Sequence, residues 1–276
     1  MTTQIPTRTT RITPRTGSRS ARRIACLARA EALLLRRNPI ALLTAAAMPV
    51  AMVLFVRLYQ PDGAGGGLGA QVVTTLTAFT LILVVYYNLV TALVARREEL
   101  VLKRLRTGET SDAEILAGTA VPAVALAWGQ ILIGILAAVT VLGLGIPANP
   151  ALVLVAVVLG TAVFVLLAAV STALTRTVEM AQVTTAPVLF VPLILSGAMI
   201  PLTSLPDPLQ RLAQVMPLTP VVDLVRLGLT GTTSDGASVD LAGSFGPAVV
   251  PVLILTAWVA AGTWATRRWF RWEPRH

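Results

Sequence analysis

The stretch ARREELVLKRLRTGETSDAEI, residues 95–115, decides how this chain is to be read. It is the most charge-dense part of the sequence, and a long apolar run flanks it on each side. Of the 276 residues, 55% are hydrophobic and only 13% charged, with a mean hydropathy of +0.77. That balance lies outside the range of ordinary soluble domains and defines an all-α integral membrane protein.

Working outward, a helix needs about 20 mostly apolar residues to cross roughly 30 Å of hydrocarbon. Six runs qualify: 39–58, 72–95, 115–146, 151–174, 181–200 and 247–266. None contains Asp, Glu or Lys, and the one Arg is Arg57 at the end of the first. The third run is longer than a crossing requires and carries Pro122, so it is expected to tilt, kink or start before the membrane. Together with its flanks, the six-span domain covers 38–270.

Lys and Arg set the orientation. Nine lie before residue 38, five in 96–114, one at Arg176 and four in the tail (Arg267, Arg268, Arg271, Arg275). Only Arg57, Arg211 and Arg226 fall on the other side. Both termini are therefore expected in the cytoplasm, and the net charge of +9 reads as a topology signal rather than a nucleic-acid footprint.

Residues 1–17 have the composition of a disordered tail, and 271–276 form a short cytoplasmic end. No apolar core precedes Pro39, so the Arg- and Thr-rich start is not read as a secretory signal. From 18 to 37 the pattern predicts an amphipathic interfacial helix, with Ile24, Leu27, Leu34 and Leu35 on one side and Arg19, Arg22, Arg29 and Arg36 towards the other. Glu31 interrupts its apolar face.

Cys26 is the only cysteine and His276 the only histidine. Neither a cysteine cluster nor a histidine-based nucleophile pair or metal site can be assembled from them. The runs also lack the ionisable residues on which ion-coupled carriers rely. No phosphate-binding loop is present, because the single lysine, Lys103, follows no glycine-rich turn. A secondary carrier and a membrane-embedded enzyme are thus the weaker classes, and any energy source lies in another chain.

In the opening stretch, Arg96 to Arg106 can form a short helix with Glu99 and Lys103 paired at i, i+4 and Leu102 and Leu105 on an adjoining side. Gly108 ends it, and Ser111 with Glu114 fits a capping box for the third span. Such a helix suits transmission of movement from a cytoplasmic partner; the alternative is a solvated loop whose charges only fix topology.

A second region, LSGAMIPLTSLPDPLQRLAQVMPLTPVVDLVRLGLTG at 195–231, holds two helix starts, Asp207-Pro208 and Thr219-Pro220, each read as a cap followed by proline. Leu209, Leu212, Ala213 and Met216 follow helical spacing. Val221, Leu224 and Val225 begin a similar face, opposite Asp223 and Arg226. Both helices are too short to cross, so a re-entrant pair dipping into the outer leaflet is expected, with a surface hairpin as the alternative.

In these two regions the chain resembles the membrane subunits of ABC-2-type exporters. RREELVLKRLRTGETSDAEILAG looks like that family's coupling segment, with Arg97, Glu98, Leu102, Leu105, Ser111, Glu114 and Gly118 at matching places. It departs at Leu100–Val101, where the family often has Gly-Thr, and at Glu109, where it often has Pro. The external pattern is similar in Ser196, Gly197, Pro201, Pro206, Leu209, Pro217 and Arg226. The likeness runs from about Ile24 to Phe270.

The resemblance implies an ATP-binding partner subunit that carries ATP and Mg, with no cofactor in this chain. It also implies a second membrane subunit, most simply a homodimer, in a bacterial plasma membrane. Arg97, Glu98, Glu99, Leu102, Lys103, Leu105 and Arg106 would take up the partner's movement. Pro201, Pro206, Leu209, Leu212, Met216, Pro217 and Arg226 would form external gate helices. The family's cargoes include drugs, antibiotics, lipids and polysaccharides; the uncharged spans lean towards an amphipathic small molecule, with lipid or glycan export as the alternative. Thr77, Tyr87, Asn88, Thr91, Gln130, Gln182 and Thr185 are candidates for lining the path, although such residues in spans more often bond neighbouring helices.

Overall fold

A computed structural model describes residues 39–60, 66–98, 112–175, 177–233 and 236–269. The predicted helix at 18–37, both tails and residues 99–111 lie outside the described residues.

The described chain is almost entirely helical. Its elements are α1 (Pro39–Tyr59), α2 (Gly66–Phe79), a π-helical segment (Thr80–Tyr87), α3 (Asn88–Glu98), α4 (Asp112–Leu142), α5 (Pro150–Thr172), α6 (Val178–Leu195), a 3-10 turn (Leu202–Ser204), α7 (Asp207–Val215), α8 (Thr219–Thr230) and α9 (Phe245–Trp269). α2, the π segment and α3 follow one another without a break as one span. With α4, α5, α6 and α9 it makes five helices long and apolar enough to cross a bilayer. α1 is 21 residues long, and within it Ala46–Tyr59 forms a shorter apolar helix.

Several boundaries shift from the sequence reading for local reasons. α4 begins at Asp112 and stops at Leu142 rather than running to 146, because Gly143 adopts a left-handed φ of 68° that a helix cannot continue through. α6 ends at Leu195, where Ser196 and the left-handed Gly197 (φ 77°) turn the chain. α5 starts where Asn149 caps it, its side-chain oxygen accepting from Leu152 N–H ahead of Pro150 at the first helical position. The two caps proposed for the re-entrant pair move by one residue: Asp207 and Thr219 lie inside α7 and α8, and Pro206 and Leu218 occupy the cap positions without a side-chain bond.

The centre of the bundle is built from α5 and the α2–π–α3 span. α1 and α4 pack on one flank, α9 on another, and α6 lies against α3 and the π segment. α8 is wedged between α2, α5 and α9. It is not the half-exposed helix that its predicted face implied, since Thr219, Val221, Val222, Leu224, Val225, Leu227 and Leu229 are all buried. Two glycines let it approach α5. A β-carbon at Gly160 would come within 2.9 Å of Leu81 and Val221, and one at Gly228 within 2.7 Å of Val153 and 2.9 Å of the Asn149 carbonyl. Small residues at helix crossings bring backbones close, which matters where lipid removes the hydrophobic drive.

α7 and α8 meet at 83°. They could be one broken crossing or a loop that enters and leaves on the same side, and the geometry decides for the loop. Asn149, at the start of α5, donates to Ser244 beside the start of α9 at 2.9 Å, so α5 and α9 begin at the same end. The chain thus reaches α9 from the end at which α6 finishes, with no net crossing between them. The apex at Val215–Thr219 lies deep: Val215 accepts from the Trp258 indole at 2.9 Å, and Trp258 stands roughly 20 Å along α9 from its start. Irregular backbone at such depth has to be enclosed by protein, and Pro217, Leu218 and Thr219 are buried.

Candidate functional site

Two ends of the bundle carry the polar construction. At the basic end, three consecutive residues closing α3 reach three different helices. Arg96 Nη1 donates to Thr119 Oγ1 of α4 at 2.7 Å. Arg97, only 3% exposed, donates through Nη1 to the Thr172 carbonyl at 2.7 Å and through Nη2 to the Thr175 carbonyl. Those carbonyls close α5, where unpaired acceptors and the negative end of the helix dipole favour a cation. Glu98 Oε1 accepts from Val178 N–H at 3.2 Å, beside Thr177, whose hydroxyl accepts from Met180 N–H at 3.2 Å. A carboxylate is thus placed at the start of α6, the end of a helix that favours an anion. One turn of α3 thereby ties the ends of α4, α5 and α6 together, immediately before residues 99–111. Tyr86 adds a link one level deeper, its hydroxyl 2.9 Å from Ser171 Oγ and its ring edge-on to Phe164.

Of the predicted coupling residues, Arg97 and Glu98 therefore make their contacts within the chain. Glu99, Leu102, Lys103, Leu105 and Arg106 lie outside the described residues. The sequence offered no signal for the partners of Arg96, Arg97 and Glu98, which stand 23 to 80 positions away along the chain.

At the re-entrant end, the turn after α6 is gripped from two sides. The Ala198 carbonyl accepts from Gln71 Nε2 and from Thr75 Oγ1, each at 2.7 Å, and the Gly197 carbonyl accepts from Arg226 Nη2 at 3.0 Å. α2 and α8 thus hold the same turn. The end of α8 is fixed to the start of α5 by Asn149 N–H donating to the Gly228 carbonyl at 2.8 Å. Among the predicted gate residues, Pro201 and Pro206 precede the 3-10 turn and α7, Leu209 and Leu212 are exposed on α7, and Met216 and Pro217 form the apex. Gln71, Thr75, Asn149 and Trp258 escaped the sequence reading; only Asn149 carried a signal, the Asn-Pro pair of a helix start.

Three of the proposed path residues bond within their own helices. Thr77, Thr91 and Thr185 donate their hydroxyls to carbonyls of their own helices, those of Val73, Tyr87 and Ala181. Gln130 is buried in α4, Tyr87 half-buried, and Asn88 and Gln182 are exposed.

The bundle, its re-entrant pair and the linked basic end describe a multi-pass transport subunit. The family model of the ABC-2 type transporter matches residues 22–230, and the chain belongs to that family. The match covers both polar ends and stops before α9. Comparison with curated proteins finds no match. Membership makes this chain a membrane permease subunit of an ABC transporter and implies an ATP-binding partner.

Proposed function

We propose that the chain is the permease of an ATP-driven exporter that moves an amphipathic small molecule out of the cytoplasm or inner leaflet. It works as a homodimer in a bacterial plasma membrane, both termini cytoplasmic, with ATP and Mg held by the partner subunits. The observation that carries this reading is the basic end. A push received on residues 99–111 reaches Glu98, Arg97 and Arg96 directly, and these three hold α6, α5 and α4. Motion entering at one segment is thereby delivered to three spans. The lean towards an uncharged or amphipathic cargo rests on the interiors of α2, α5 and α6, which hold no Asp, Glu, Lys or Arg between their terminal turns.

The test is reconstitution of the chain with its ATP-binding subunit in liposomes loaded with a fluorescent amphipathic compound. Efflux is expected to require ATP and an intact phosphate-loop lysine in the partner. Replacing Leu102 and Leu105 with Asp should abolish both co-purification and efflux. Efflux by the permease alone, or unchanged pairing and transport in that variant, contradicts the reading.

A further inference from the structure

α8 separates two cavities near the re-entrant end, and one of them has the chemistry of a ligand site that the transport reading does not use. A cavity of about 480 Å³ opens between the start of α2, the α4–α5 connection and the end of α8. Its polar side chains are Arg226, Gln71, Thr230 and Thr232, and Leu144 and Leu229 supply apolar wall. No carboxylate lines it among the described residues.

Arg226 is half-buried and donates Nη2 to the Gly197 carbonyl. A guanidinium has five N–H donors in a planar fork, so one bond to a neutral carbonyl leaves most of that capacity, and the whole charge, directed to other partners. Gln71 and the two threonine hydroxyls spend their donors inside the chain, so the guanidinium is the cavity's free donor group. A partly desolvated cation with no acidic side chain in the cavity wall favours an anion, and the fork suits a phosphate in particular. The cavity also lies level with the start of α5, one of the candidate crossings. Arg226 is about half a turn from Gly228, whose carbonyl is bonded to the start of α5.

The geometry points to a binding site for a phosphate monoester or diester at Arg226, filled by the headgroup of a phospholipid whose glycerol and upper acyl chain lie along Leu144 and Leu229. Placing that lipid in the outer leaflet rests on the proposed orientation, but the phosphate chemistry does not.

The experiment is native mass spectrometry of the purified full-length chain, without nucleotide or partner, titrated with phosphatidylglycerol and with a diacylglycerol of the same chains. The wild type should hold the phospholipid and not the diacylglycerol, and Arg226→Gln should weaken it about tenfold. Because that variant also releases the Gly197 carbonyl, a second one fills the cavity and spares the bond. A β-carbon at Gly145 meets nothing within 4 Å, so Gly145→Leu is accommodated and should also weaken binding. Competition by millimolar inorganic phosphate assigns the site to a free phosphate anion; resistance to it assigns the site to lipid. Equal retention of diacylglycerol, or wild-type affinity in either variant, overturns the proposal. Since the readout involves neither ATP nor efflux, it stands or falls separately from the transport reading.

Discussion

The two polar ends of the bundle are fastened by different physics. At the basic end, the side chains of Arg96, Arg97 and Glu98 span the gaps between helices, and each bond involves a formal charge at a helix terminus or a hydroxyl. At the re-entrant end, glycines and backbone carbonyls do most of the fastening: Gly160 and Gly228 let α8 settle onto α5, and the Gly197–Ala198 carbonyls are held by the side chains of Arg226, Gln71 and Thr75. Long side chains joining three helices make a junction that transmits displacement while tolerating small changes of distance. Glycine-mediated packing has two arrangements, seated or unseated, with little between them. On the proposed function, the difference suits an input at the first end and a gate at the second.

The sharpest way to break this contrast is Gly228→Ala. The added methyl collides with Val153 and the backbone of Asn149, neither of which can swing aside, so a loss of about 3 kcal/mol is expected, visible as a lowered unfolding temperature in detergent. Tolerance of alanine there would show that α8 is not seated as described. Arg97→Met comes next. It strips the buried carbonyls of Thr172 and Thr175 of their donor and should cost about 2 kcal/mol, with Arg97→Lys recovering part of it. Trp258→Phe keeps the ring in place but removes the bond to Val215, for about 1 kcal/mol and faster amide exchange at the re-entrant apex. Smallest is Glu98→Gln, where loss of the charge at an exposed helix start should raise amide exchange at 178–180 by about threefold.

Much of the architecture could be read from the sequence because lipid imposes a simple rule. Apolar runs near 20 residues long marked the crossings, the first of them from Pro39. α8 shows where that rule fails. Twelve residues are too few to span, and the spacing predicts an amphipathic re-entrant helix with Asp223 and Arg226 on a polar side, although apart from those two and its terminal threonines it is apolar all round. A helix apolar on every side is an enclosed helix, and that signal was present. Asp207 and Thr219 were misplaced by one residue because proline tolerates either of the first two helical positions, and the choice depends on the extended backbone of Pro206 and the packing at Leu218. The basic-end junction was the least legible part. Charge density located it, but that Arg97 answers the end of α5 depends on a fold-level encounter between residues 75 positions apart.

The central claim is that α3 and α6 move together at the basic end when the ATP-binding subunit acts. Pulsed electron resonance on spin labels at the exposed positions Asn88 and Val183, in the assembled complex diluted with unlabelled permease, measures this directly. The account predicts that the Asn88–Val183 separation is the same in the nucleotide-free and ATP-trapped states, while in undiluted complex labelled at Val183 alone the separation between the labels of the two proposed membrane subunits changes. A change of the Asn88–Val183 distance on ATP trapping would mean that the Glu98 link to α6 does not hold during the cycle, and would contradict it.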